Sequence, residues 1–273
     1  MFFAIACKKE NSEDPNAEKT QVDVSYGSDD KQKMDVYLPA GRDTVNTKLM
    51  VLIHGGAWIE GDKSDFTANI TDIKKLLPGY AFANINYRLY NAFTTSNKFP
   101  AQEEDVKAAI AYLLSKRAEY RFSNKIVLLG ASAGAHLALL QGYKNSGTIS
   151  PRAIISYFGP TDMTDLYNTA VDPLVKTTIA GIVGSTPVQN AAAFANSSPI
   201  TYVTGKSAPT LLLQGDIDPL VPVKQATLLA NKLKAAGVTY ELVVYPNETH
   251  GFTTTTMNAS ILKVISFLQA NVP

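Results

Sequence analysis

Six short runs of nearly unbroken apolar residues recur through the chain, at 49–53, 80–86, 126–129, 153–157, 210–213 and 240–244. A strand covered on one face alternates apolar and polar side chains, whereas one buried on both faces has no reason to alternate. Between these runs lie helical patterns at 66–77, 102–116, 133–143, 224–236 and 257–270. In the second, Val106, Ile110, Leu113 and Leu114 recur at helical spacing, with acids at its start and Lys116-Arg117 at its end, matching the macrodipole. Doubly buried strands alternating with helices predict an α/β fold, a mostly parallel central sheet with helices on both faces. Ahead of it, 20–26 and 32–38 alternate apolar and polar residues around Gly27-Ser28-Asp29-Asp30, which predicts an antiparallel N-terminal hairpin. At 273 residues one such domain, 20–273, buries enough surface to need no disulfide or structural metal.

The chemistry gathers where strands end. Gly130-Ala131-Ser132-Ala133-Gly134 falls between the run at 126–129 and the helix from Ala133. A strand–turn–helix of this composition is the setting of a nucleophile elbow, in which the turn lifts the Ser132 hydroxyl clear of the sheet. Glycines on either side remove side chains that would clash. His54-Gly55-Gly56-Ala57-Trp58 follows the run at 49–53. Its backbone N–H groups at Gly56 and Ala57, with that of Ala133, are the candidate oxyanion-hole donors, each typically worth about 10²–10³ in rate. Trp58 either walls the pocket or belongs to the core.

A serine nucleophile needs a base, and the chain has three histidines. His54 sits in the glycine loop, where it braces the turn. His136 lies one turn down the helix after Ser132, as a core residue. His250 follows the last apolar run in a loop ending His250-Gly251-Phe252, free to approach the serine from the other side. The orienting acid comes between them in the order Ser, Asp, His. Asp216 and Asp218 compete. Asp216 suits a turn residue bonding nearby N–H groups, and Asp218, projecting beyond it, is the choice for the acid. Residues 160–199 do not fit the strand–helix alternation and read as either a small helical cap over the site or a long crossover.

With these residues in place, the sequence resembles the α/β-hydrolase superfamily, in particular bacterial carboxylesterases of the esterase/lipase group. The resemblance rests on HGGAW (54–58), NYRL (86–89), FPAQEEDVKAAI (99–110), GASAGAHLA (130–138), GDIDPLVP (215–222) and HGF (250–252), and runs from about Thr20 onward. It implies that Arg88 and Asp105 brace the sheet around the site, a surface pair being the alternative. Ala131 stands where the hormone-sensitive-lipase-like branch has Asp, and Ala57 where that branch has a third Gly. The pattern is therefore more similar to feruloyl- and acetyl-xylan-type esterases. Motifs and resemblance together imply a serine ester hydrolase acting through an acyl-enzyme with no metal and no cofactor. An amidase or peptidase on the same residues is the near alternative, and a non-catalytic binding protein the remote one.

A formal charge of +1, with no basic stripe, excludes a nucleic-acid partner and points to a small-molecule or polysaccharide-linked ester. The sequence sets no oligomeric state. The single cysteine, Cys7, rules out an intrachain disulfide and a cysteine-based zinc site. It closes the run Phe2-Phe3-Ala4-Ile5-Ala6 and precedes a polar stretch, 8–16. That pattern resembles a bacterial lipoprotein signal, making 1–19 a leader and flexible tether with Cys7 acylated. The protein would then be secreted or held at the cell envelope, with membrane contact through that anchor alone. The apolar run is too short to span a bilayer and lacks a charged flank, so the reading implies a start upstream. Otherwise Cys7 is a free thiol on a frayed end and the protein is cytoplasmic.

Overall fold

The computed structural model describes residues 14–145 and 150–273. Cys7 and the segment around it lie outside the described residues. The hairpin is β1 (Lys19–Ser25) and β2 (Lys33–Leu38); β3 (Lys48–Ile53), α1 (Thr67–Leu76), β4 (Tyr80–Ile85), α2 (Ala101–Ser115) and the short α3 (Arg117–Tyr120) follow. Ser132 lies between β5 (Ile126–Ala131) and α4 (Ala133–Tyr143), and then come β6 (Ala153–Tyr157), α5 (Met163–Thr169), α6 (Pro173–Val183) and α7 (Ala191–Asn196). The chain closes with β7 (Thr210–Gly215), α8 (Lys224–Ala235), β8 (Tyr240–Tyr245) and α9 (Thr254–Asn271).

The unbroken apolar runs have the predicted cause. In β3, Leu49, Val51 and Ile53 join a core that includes side chains of α2, α4 and α8. Met50 and Leu52 face the opposite core, shared with α1 and α9. The eight strands run in the order β1-β2-β4-β3-β5-β6-β7-β8. β2 is antiparallel to both β1 and β4, and every pairing from β4 to β8 is parallel. This is the α/β-hydrolase fold, as the sequence leads one to expect. In such sheets the loops leaving the carboxyl ends of the strands form the ligand crevice.

β1 departs from simple alternation. Its register with β2 shifts between Gln21 and Val24, and Asp23 sits at a φ of 54° with its N–H on the Asp35 carboxylate at 2.9 Å. The bulge leaves Val22 exposed on this edge strand and twists the edge away from flat pairing.

Residues 160–199 hold three helices rather than a plain crossover. Each starts on a capping side chain: Asp162 accepts from the Asp165 N–H, Asp172 from Leu174, and Asn190 from Ala193. α6 combines Pro173 in its first turn with Gly184 at its end, where a φ of 76° suits glycine. Leu166 of α5 and Ile179 of α6 are buried against the body.

Candidate active site

β5, in the middle of the sheet, delivers Ser132 to the carboxyl ends of the strands. Ser132 has a φ of 52° and a ψ of −119°, a conformation side chains rarely adopt, and its N–H donates to the Tyr157 carbonyl at 2.8 Å. The turn closes only on glycine: a Cβ on Gly130 would overlap the Gly134 carbonyl, and one on Gly134 the Ile53 carbonyl. α4 can therefore start directly against the end of β3.

The loops after β7 and β8 bring the other two residues. His250 Nε2 lies 2.9 Å from Ser132 Oγ, and His250 Nδ1 lies 2.8 Å from Asp218 Oδ2. A carboxylate only accepts, so Nδ1 carries the proton and the Nε2 lone pair faces the serine hydroxyl. Asp218 has its side chain fully out of solvent. It is held by four donors: His250, Gln214 Nε2 at 3.0 Å, and the N–H groups of Leu220 and Val221, both at 2.9 Å. Asp216 instead accepts from the N–H of Asn247 at 2.7 Å. That partner is not local in sequence. Asp216 thus staples the acid-bearing loop to the histidine-bearing loop, and the Ile217 N–H bonding the Glu248 carbonyl does the same.

The glycine loop lies opposite. Gly56, Ala57 and Trp58 follow one another at φ values of 99°, 50° and 63°, which turns the chain sharply under the pocket. Among the described residues, the N–H groups of Gly56, Ala57 and Ala133 donate to no backbone carbonyl, so all three remain open donors. Gly56 and Ala57 line the pocket with Ser132, while Ala133 is buried beneath it. His54 stacks on Tyr87 at 4.3 Å, and the Tyr87 hydroxyl donates to the His54 carbonyl at 2.9 Å. It braces the loop, as read from the sequence. His136 is wholly buried, its Nε2 2.7 Å from the Ser197 carbonyl and its ring against Trp58 and Phe99. Burial pushes its pKa down to about 4. Trp58 belongs to the core and also lines the cavity. Arg88 and Asp105 are no surface pair. Asp105 is buried and accepts from Arg88 Nη2 at 2.7 Å, from the Arg88 N–H at 2.7 Å and from Gln32 at 2.7 Å.

Ser132 and His250 open onto a cavity of about 510 Å³. Its walls are mainly apolar, with Leu166, Val175 and Ile179 from the inserted helices and Leu220 and Val221 from the acid loop. A site of this size and lining suits a small organic group.

Residues 34–233 match the BD-FAE family. The chain belongs to that family. Among curated relatives, esterase LipQ of Mycobacterium tuberculosis is 29% identical over 249 residues, covering 84% of this chain and 56% of LipQ. The kynurenine formamidase of Meyerozyma guilliermondii is 31% identical over 232 residues, covering 80% of this chain and 82% of that enzyme. A solved structure, a truncated carbohydrate esterase from gut microbiota, superposes with a TM-score of 0.76 at 26% identity, covering 93% of this chain and 99% of that one. This BD-FAE chain spans little over half the length of the first curated relatives it matches.

Several site residues of this BD-FAE chain escape a reading of the sequence. Phe158, with a φ of 41°, packs its ring 4.8 Å from His250 and lines the cavity. The run Phe158-Gly159-Pro160 directly after β6 was the available signal. Gln214 is the second, a polar residue closing an apolar strand and bonding Asp218. Glu248 is the third: it accepts from the N–H and hydroxyl of Thr253 at 2.8 and 2.6 Å, bracing the loop that carries His250.

Proposed function

We propose that the protein is a serine-dependent carboxylic-ester hydrolase, with Ser132 as nucleophile, His250 as base and Asp218 as the orienting acid. The observation that carries this is the continuous hydrogen-bonded line from Asp218 through His250 to Ser132 at the mouth of an apolar cavity. His250 Nε2 takes the Ser132 proton as Oγ bonds to the acyl carbon and the carbonyl electron pair moves onto oxygen. The N–H groups of Gly56, Ala57 and Ala133 hold that oxyanion. Collapse of the intermediate expels the alcohol, which leaves with the proton from His250, and water then repeats the sequence on the acyl-enzyme. Asp218 stabilises the imidazolium without itself taking a proton.

The substrates we assign are short-acyl or feruloyl and acetyl esters of carbohydrate. The cavity's size and the similarity to a carbohydrate esterase support that assignment. Hydrolysis of p-nitrophenyl acetate to octanoate, methyl ferulate and acetylated xylan by wild type and Ser132→Ala tests it. Wild-type turnover falling on the order of 10⁶-fold in the variant is expected, and a variant within tenfold of wild type would overturn the mechanism. An amide-cleaving reading is favoured by one observation, the similarity to a kynurenine formamidase. Formanilide added to the panel separates the two: turnover of formanilide with none of any ester assigns the amide. Acylation at Cys7, and with it a place at the cell envelope, is part of the same proposal. Mass spectrometry of the native protein finding Met1 intact and Cys7 unmodified would remove it.

A further inference from the structure

α6 separates two cavities of opposite character. Val175, Thr178 and Ile179, three and four residues apart, face the nucleophile's pocket. The next stripe round the helix, Lys176, Thr177, Ala180, Gly181 and Gly184, lines a second, open cleft of about 500 Å³. In the first, the acidic and basic side chains other than His250 are Glu60 and Asp172, both carboxylates. In the second they are Lys98 and Lys176, with no carboxylate among the lining residues. Neither lysine has an ion-pair or hydrogen-bond partner for its ammonium group among the described residues. The end of the exposed Lys98 side chain, from Cδ to Nζ, passes over Gly184.

The neutral groups of the cleft define what else the ligand must carry. Thr177 donates its hydroxyl proton to the Pro173 carbonyl at 2.9 Å, and Thr186 donates to Gln189 Oε1 at 3.0 Å. Both hydroxyls therefore offer lone pairs outward, one of those on Thr186 being shared with the Gln189 N–H at 3.4 Å, and suit a ligand that donates. The lysines, and Gln189 through its Nε2, need one that accepts. A simple inorganic anion meets only the second requirement. A polyhydroxylated ring bearing a carboxylate meets both, and Tyr90 and Tyr167 supply amphipathic ring surface beside it. We propose that this cleft is a saccharide subsite for a uronate, on the far side of α6 from the nucleophile. Its link to catalysis rests on the carbohydrate-ester reading: an acidic branch held here would anchor a polymer whose neutral ester enters the other pocket.

The test titrates three probes into the full chain by calorimetry: xylotetraose carrying one glucuronate branch, unbranched xylotetraose, and sodium sulfate. The branched sugar is expected to bind, the unbranched one about tenfold or more weakly, and Lys98→Gln/Lys176→Gln to lose about tenfold for the branched sugar alone. On acetylated glucuronoxylan the double variant is expected to raise KM with kcat unchanged, while its p-nitrophenyl acetate turnover equals wild type. Equal binding of both sugars, no binding at about 10 mM, or displacement by equimolar sulfate would each overturn the subsite. The probes carry no ester, so a wild type inert towards every ester would sink the hydrolase reading and leave the binding result to stand or fall separately.

Discussion

Two residues apart at the end of β7, Asp216 and Asp218 have different partners, and the difference is one of burial. Asp218 is buried, and each oxygen is saturated by donors that fix where it points. Asp216 is exposed and holds one N–H of the neighbouring loop. Asp218→Asn keeps the size but puts a donor amide where His250 Nδ1–H must donate, favouring the wrong tautomer. Its kcat is expected to fall about 10⁴-fold. Asp216→Asn is expected to stay within about threefold, since an amide oxygen still accepts from Asn247. Steady-state rates on p-nitrophenyl acetate decide it, and a reversed pattern would move the acid to Asp216. The type, order and choice of these residues could be read from the sequence, but not what holds Asp218 in place: the N–H groups of Leu220 and Val221 are set by the turn's geometry.

Among the elements, those buried on both sides were the easiest to read. β3 and β5 are apolar without interruption because two cores meet on them, and that pattern survives in the one-dimensional string. α9 begins at Thr254, ahead of the expected 257, because Thr253 caps a first turn of threonines that are poor helix formers. The inserted helices show in the sequence only as a break in the strand–helix alternation, since α5 and α7 are too short for a periodic face and α6 carries apolar residues on more than one side. Their inner residues, Leu166 and Ile179, acquire meaning only once folded over the sheet. Arg88 and Asp105 illustrate how elements are tied: the carboxylate on α2 takes donors from the segment after β4 and from the hairpin turn at Gln32. Arg88→Met would leave that buried charge with two of its partners. A loss of about 3 kcal/mol is expected, read as a lower guanidinium midpoint at unchanged slope.

On the scale of the molecule, His136 connects body to insertion, running from the nucleophile helix to the carbonyl of Ser197. Its pKa in the fold, about 4, lies below its ordinary 6.5, so the unfolded chain binds the proton first. Stability is thus complete above pH 6.5, declines as pH falls towards 4, and stops declining from this cause below that. Between pH 6.5 and 5 the loss is about 2 kcal/mol. Burial lowers the pKa of His54 as well, adding a loss of the same sign. Urea denaturation of His136→Gln against wild type across this range is expected to show an acid slope shallower by that amount; parallel slopes would rule the residue out as a source of acid sensitivity. The global arrangement could be read from order alone, strand after strand. The cavity could not, because its walls come from α5, α6 and the loops after β3, β6 and β7, which meet only in space.

The line joining Ser132 to His250 crosses 118 residues of chain. At the ribosome, where about 5–20 residues are added each second, Ser132 emerges on the order of ten seconds before His250. Throughout that interval the elbow can already be in place between β3, β5 and α4, yet its hydroxyl has nothing to give its proton to. On the proposed mechanism a nascent or prematurely ended chain therefore carries an inert serine, and reactivity towards esters begins only when β8 docks at the sheet's edge and swings its loop across.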